Sequence, residues 1–277
     1  MLKLKTIQNL ILDMDGVLWR GEIPMPGLTD FFETLAELDI DFVLATNNAS
    51  KNAALYMAKL HGFGLDIPQH KILNSAEATA DFLVAHYKAE NREETAVYAV
   101  GDIGLQEALT KRGFTLLTPE AVYAGAYAPA VVVGFTRHAD YSQLAMASLL
   151  VHKGATFIGT NPDVSFPSEV GPLPGAGALQ AIITSATGRS PDHIIGKPNP
   201  AIFHEALRRL GGTAENTAMV GDRLETDIQG AKNAGIPSIL LLSGIAQPGD
   251  WEQPDKPQPD FVFADISDLA RQLVVDS

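Results

Sequence analysis

With 277 residues, 46% of them hydrophobic, the chain can bury a large core and does not have the composition of a disordered protein. A net charge of −13 and the lack of any basic run argue against binding to nucleic acid or anionic membrane, which needs clustered Lys and Arg. The absence of cysteine excludes disulfides, thiolate catalysis and cysteine zinc sites, and fits a reducing cytoplasm.

The N-terminal "MLKLKTIQNLILDMD" carries lysines and an apolar stretch, but Gln8-Asn9 interrupt that stretch and two acids end it, so it does not read as a signal peptide. The first strand, "LILD" (10–13), runs into Asp13 and Asp15. At i and i+2 on extended chain these carboxylates project to one face and repel, unless a cation, a proton or donor groups offset them. A helix is expected over 28–39, a strand over 41–47 ending in Thr46-Asn47-Asn48, and helices over 50–62 and 75–87. The polar, charged "KAENREE" (88–94) reads as a linker. Beyond it follow a strand (96–102), a helix (104–113), a strand (130–135), a helix (140–154) and a strand (155–161). The weakly polar stretch 121–135 contains Pro129 and falls short of the ~20 residues that span a bilayer. A turn-rich "TGRSPDH" (187–193) precedes "IIGKPNP", which carries Lys197. A helix (199–212), a strand (216–222) reaching Asp222, a helix (225–235) bearing Asp227, a strand (238–244), a proline-rich loop (251–260) and a strand (260–265) complete the order.

Several strands are apolar throughout instead of alternating, as in parallel sheets covered on both faces. The alternation of strands and helices gives an α/β fold: a Rossmann-like parallel-sheet core, residues 1–87 and 191–277, with an inserted α/β domain over 88–190.

In such sheets ligands bind at the carboxyl ends of strands. Those ends carry Asp13, Asp15, Thr46, Asn47, Asp222 and Asp227, with Lys197 near the second linker. Each could serve structure alone, as a turn or a helix cap. Together they make an inventory for phosphate chemistry. Phosphate monoesters are among the most inert biological bonds. A carboxylate nucleophile splits their hydrolysis into two steps. A hard cation such as Mg²⁺ masks the charge on attacker and substrate, and a second carboxyl can act as acid and then base. A lysine and a hydroxyl clamp the equatorial oxygens. Which of Asp13 and Asp15 attacks stays open on this reasoning.

The ordered set "DMDGV" (13–17), "TNN" (46–48), "GKP" (196–198) and "GDRLETD" (221–227), with "PMPG" (24–27) and "TNPD" (160–163), resembles the haloacid dehalogenase-like superfamily of phosphatases. It looks closest to the NagD-like and 4-nitrophenylphosphatase-like branch, whose large α/β cap is inserted between the second and third motifs. The resemblance implies Asp13 as nucleophile and Asp15 as general acid/base. It implies that Thr46, Asn47 and Lys197 hold the phosphate. Asp13, the backbone carbonyl of Asp15 and Asp222 would bind Mg²⁺, with Asp227 supporting the metal. The implied substrate is a small phosphorylated metabolite, and caps of this size in the family often offer a surface for a homo-oligomer.

Two cap loops, 134–141 and 159–177, carry Arg137, His138, Asn161 and Asp163 as candidates for selecting the leaving group. "GAGALQ" (175–180) lacks the third glycine of a dinucleotide fingerprint, and proline follows Lys197 where a P-loop needs Ser or Thr. No His-Glu-x-x-His spacing is present. A phospho-accepting regulatory module and a phosphomutase are the alternative readings of the same residues.

Overall fold

The computed structural model describes residues 4–87, 95–166 and 171–276. The expected linker 88–94 and residues 167–170 of the longer cap loop lie outside them. The chain divides into two compact units: 1–46, 54–73 and 197–277 form the first, and 47–53 with 74–196 the second.

In the first unit, Leu10, Ile11 and Leu12 are fully buried, as is every residue of strand Thr217–Gly221. Strands this apolar need cover on both faces, which a parallel sheet flanked by helices provides. The six-stranded sheet runs Phe261–Phe263, Ser238–Leu241, Thr217–Gly221, Asn9–Leu12, Asp41–Thr46 and Ile72–Asn74. Asn9–Leu12 lies in the middle, parallel to both neighbours, with Leu12 in register with Val220 and Leu44. The strand order reverses there. The carboxyl ends of three adjacent strands therefore deliver Asp13, Thr46 and Asp222 to one edge, where α/β sheets bind ligands.

The second unit holds a parallel sheet of five strands, in the order His193–Ile194, Thr156–Gly159, Ala130–Val133, Ala96–Val100 and Thr115–Leu116. Its core packs Tyr98, Val131, Phe157 and Ile183 with helix Tyr141–His152. Helix Ser75–Tyr87 and strand His193–Ile194 group with this unit, whereas the sequence boundaries put them in the core. The helix packs on Ile103–Lys111, with Arg112 Nη2 donating to Asp81 Oδ2 at 3.0 Å, and the strand pairs with Thr156–Gly159.

Several helical segments depart from the sequence reading. Helix Ala176–Thr187, ended by left-handed Gly188, occupies a stretch whose Gly-rich opening suggests a loop. Helix Ile266–Asp276 follows the last strand. The expected helix over 225–235 opens as a π-helical turn, Leu224–Ile228, before the α-helix Gln229–Ala234. Among the described residues no helix is long and apolar enough to cross a membrane.

Helix Tyr141–His152 starts at a full capping box, with Asp140 accepting from Gln143 N at 2.8 Å and Gln143 Oε1 accepting from Asp140 N at 3.3 Å. Asp140→Ala should cost about 0.5–2 kcal/mol by denaturant titration, whereas Asp140→Asn should cost much less, because Asn still accepts the cap hydrogen bond.

Candidate active site

The polypeptide leaves the central strand at Leu12, and Asp13 N still donates to Val220 O at 2.9 Å, which fixes the start of the following loop. The Asp13 side chain is buried and meets the Lys197 ammonium, with Nζ 2.6 Å from Oδ1. Lys197 is also buried; it lies 2.7 Å from Asp227 Oδ1 and donates to Ala45 O at 3.2 Å. Asp227 reaches inward from the π-helical turn, where its Oδ2 accepts from Arg223 N at 3.1 Å. Asp222, just past Gly221, is buried and accepts from Ile245 N at 2.8 Å through Oδ2.

Glycines make room for that carboxylate. A Cβ at Gly244 would stand 1.9 Å from Asp222 Oδ2, and one at Gly16 2.3 Å. Gly16 also holds φ at +92°, a conformation that side chains other than glycine's rarely adopt.

Three buried carboxylates thus surround one buried ammonium. Burial, opposed by Lys197 and reinforced by Asp227 and Asp222, pushes the Asp13 carboxyl up to about 8 in the metal-free protein. Burial and then the Asp227 charge push Asp222 up to about 6. Burial works against the Lys197 ammonium, but attraction to Asp13 and Asp227 outweighs it and raises its pKa.

This donor set fits a hard divalent cation. Asp13, Asp222 and Asp227 each offer an oxygen, all within 4.8 Å of one another, and Asp222 Oδ1 is buried with no hydrogen-bond partner. Oxygen-only carboxylate sites suit ions such as Mg²⁺, Ca²⁺ or Mn²⁺.

Asp15 is not among those three carboxylates. The chain turns at Met14, whose carbonyl accepts from Leu18 N at 2.8 Å, and Asp15 pairs with Trp19 as an isolated bridge. Asp15 is exposed, and its Oδ1 accepts from Trp19 Nε1 at 2.7 Å. The strand ends at Leu12, so both carboxylates lie on the loop that follows it. Thr46 is buried at the end of its strand. Tyr56 is buried nearby, and burial and then the Asp15 charge push the pKa of its phenol up.

Asn47 belongs to the second unit, where Asn161 Nδ2 and Ser75 Oγ donate to its carbonyl at 2.8 and 2.6 Å and its Nδ2 donates to Asp163 Oδ2 at 3.2 Å. Of the cap-loop candidates, Asn161 and Asp163 are thereby engaged. Arg137 lies over the Phe166 ring at 5.4 Å, and His138 is exposed. Sequence reasoning misses Trp19 and Tyr56, because both look like ordinary core aromatics.

A cleft of about 620 Å³ lined by Gln8, Asn9, Asp39, Asp41 and Asn216 lies at the amino ends of the strands, the opposite end of the sheet from the carboxylates. It brings together none of the residues described above.

Residues 10–115 match the family of haloacid dehalogenase-like hydrolases, and residues 194–269 match a family described as HAD-hydrolase-like. The chain is 40% identical to dihydroxyacetone phosphatase of Corynebacterium glutamicum (strain R), covering 95% of this chain and 90% of that protein. It is 35% identical to acid sugar phosphatase of Staphylococcus aureus (strain USA300), covering 98% and 99%. The crystal structure of a 4-nitrophenylphosphatase from Thermotoga maritima superposes with a TM-score of 0.88 at 38% identity, covering 97% of this chain and 98% of that one.

The raised carboxyls set a pH dependence for cation binding. Both stand above the ordinary 3.8 in the folded chain, so the folded state holds more protons than the unfolded one. Without metal, this site's contribution to stability therefore falls as pH rises from 3.8 through about 8. A cation must displace those protons, so its stabilising effect grows over the same range. Thermal unfolding with Mg²⁺ or with EDTA should show a difference in Tm several degrees larger at about pH 8.5 than at about pH 5.5.

Proposed function

Because the chain belongs to the haloacid dehalogenase-like hydrolase family, as a phosphatase of its NagD-like, 4-nitrophenylphosphatase-like branch, we propose that it hydrolyses phosphate monoesters of small metabolites through a phosphoryl group carried on Asp13. The observation that carries this reading is the buried cluster of Asp13, Asp222 and Asp227 around Lys197 at the carboxyl ends of the central strands.

Asp13 attacks phosphorus while the bond to the leaving oxygen breaks, and Asp15 gives that oxygen its proton. Asp15, now ionised, takes a proton from the water that attacks the aspartyl-phosphate. Inorganic phosphate leaves and the Asp13 carboxylate is restored. Lys197, Thr46 and Asn47 hold the equatorial oxygens, and Lys197 also keeps the nucleophile oriented by the 2.6 Å contact already present. Asp13, Asp222 and the Asp15 backbone carbonyl would hold Mg²⁺, supported by Asp227. When bound, the ion supplies the positive charge that lets a carboxylate approach an anionic substrate. The 88–190 segment acts as a cap that selects the leaving group.

Sugar phosphates, which name the substrates of two relatives, are the first members of the substrate class we assign. That both relatives are phosphatases supports hydrolysis over a phospho-accepting regulator. A phosphomutase would betray itself by requiring a bisphosphate.

Phosphate release from a panel of triose and hexose phosphates and 4-nitrophenyl phosphate should depend on Mg²⁺ and stop with EDTA. Asp13→Asn should lower turnover by roughly 10³-fold or more while the Tm stays within a few degrees of the parent. Turnover by that variant near the parent rate would overturn the mechanism.

A further inference from the structure

Asp15 has an unusual setting for a group that must deliver and recover a proton at a fixed point. Its side chain is exposed, and an exposed carboxylate samples several rotamers. Among the described residues one side-chain hydrogen bond restrains it: the Trp19 indole N–H on Oδ1 at 2.7 Å, shorter than the ~2.9–3.0 Å usual for N–H···O and in the range of charge-assisted hydrogen bonds. We propose that Trp19 is a positioning residue that commits Asp15 Oδ1 to accepting the indole N–H, so that Oδ2 alone carries the proton in both the acid and the base step. The proposal rests on the reading of Asp15 as general acid/base.

The chemistry follows from the donor. An indole N–H donates and cannot accept, so it holds the oxygen it touches as an acceptor. In the acid form the proton then resides on Oδ2. In the base form Oδ2 is the oxygen free to receive one from water. One atom thus gives the proton to the leaving oxygen and takes the next, with no rotation of the carboxyl between the steps.

Trp19 is itself held on every side. It is 1% exposed, and its backbone closes the turn that carries Asp15, with Gly16 N donating to Trp19 O at 2.8 Å. Its ring packs against Phe63 at 5.9 Å between centroids. The Lys59 ammonium stands 4.6 Å from the ring centroid and is anchored to Gly21 O and to Glu22. A cation over the ring face draws electron density from the indole and strengthens its N–H as a donor. Lys59 thus reinforces the grip of Trp19 on Asp15 without touching the carboxylate.

The test uses the leaving group. Departure of 4-nitrophenolate needs little help from an acid, whereas an alkoxide cannot leave without a proton. Comparing kcat/KM for 4-nitrophenyl phosphate and glycerol 3-phosphate with full-length protein and Mg²⁺ therefore isolates proton delivery. Trp19→Phe keeps a ring and deletes the N–H. It should lower kcat/KM on the alkyl ester by roughly 10- to 100-fold and on the aryl ester by less than about 3-fold. Asp15→Asn should give the same selectivity more severely. An equal loss on both esters, or no loss, with Trp19→Phe while Asp15→Asn remains selective would overturn the role of Trp19 and leave that of Asp15 standing. Unchanged alkyl turnover in Asp15→Asn would overturn both. If Trp19→Phe does not fold, 3-benzothienylalanine at position 19, which puts sulfur in place of the N–H at nearly constant shape, must show the same selective loss for the proposal to stand.

Discussion

The first unit is organised around one buried ammonium. Lys197 is 3% exposed, and its two ion pairs, to Asp13 and Asp227, are nearly as buried. Removing such charges from water costs several kcal/mol per ion, which close pairing offsets only in part. With Asp222 added, three carboxylates face one ammonium, so a fully ionised cluster carries two surplus negative charges. A sheet does not keep that imbalance for stability. It must be neutralised by protons or by a cation, and that surplus suits the three carboxylates to a divalent ion. The three central strands, the glycines that clear space for Asp222 and the π-helical turn that aims Asp227 all serve this one arrangement.

Two carboxylates only two residues apart meet opposite conditions. Asp13 is dry, paired with an ammonium and pressed by its like-charged neighbours. Asp15 is wet and held by a neutral donor. Environment, not residue type, sets the two carboxyls apart. The separation comes from the turn after Met14, which sends one side chain into the sheet edge and the next but one toward the Trp19 ring.

The α/β class, the parallel sheets and the gathering of Asp13, Lys197, Asp222 and Asp227 were legible because strand-end carboxylates after unbroken apolar runs are hard to place otherwise. What escaped was tertiary. Helix Ala176–Thr187 opens on Gly and Ala and carries no charge, so it has little amphipathic signal and borrows its stability from packing. The π-helical turn depends on Asp227 capping Arg223 N, a contact that periodicity cannot register. Trp19 reads as one more core aromatic until the turn folds its N–H back onto Asp15. Asn47 follows Thr46 directly, yet its hydrogen bonds run to Ser75, Asn161 and Asp163, partners up to 116 residues away.

The parallel pairing of Asn9–Leu12 with Thr217–Gly221 also bears on how the protein comes into being. Lys197 and Asp13, now in contact, are 184 residues apart in the chain, and the strand that completes the site lies later still. During synthesis the first strand emerges early and waits, apolar on both faces, through the making of the whole second unit. That unit draws its sheet from one nearly continuous stretch, so its contacts close over shorter loops and need not wait for the C-terminal strands. A prematurely terminated chain can therefore own a finished insertion while possessing Asp13 without Lys197.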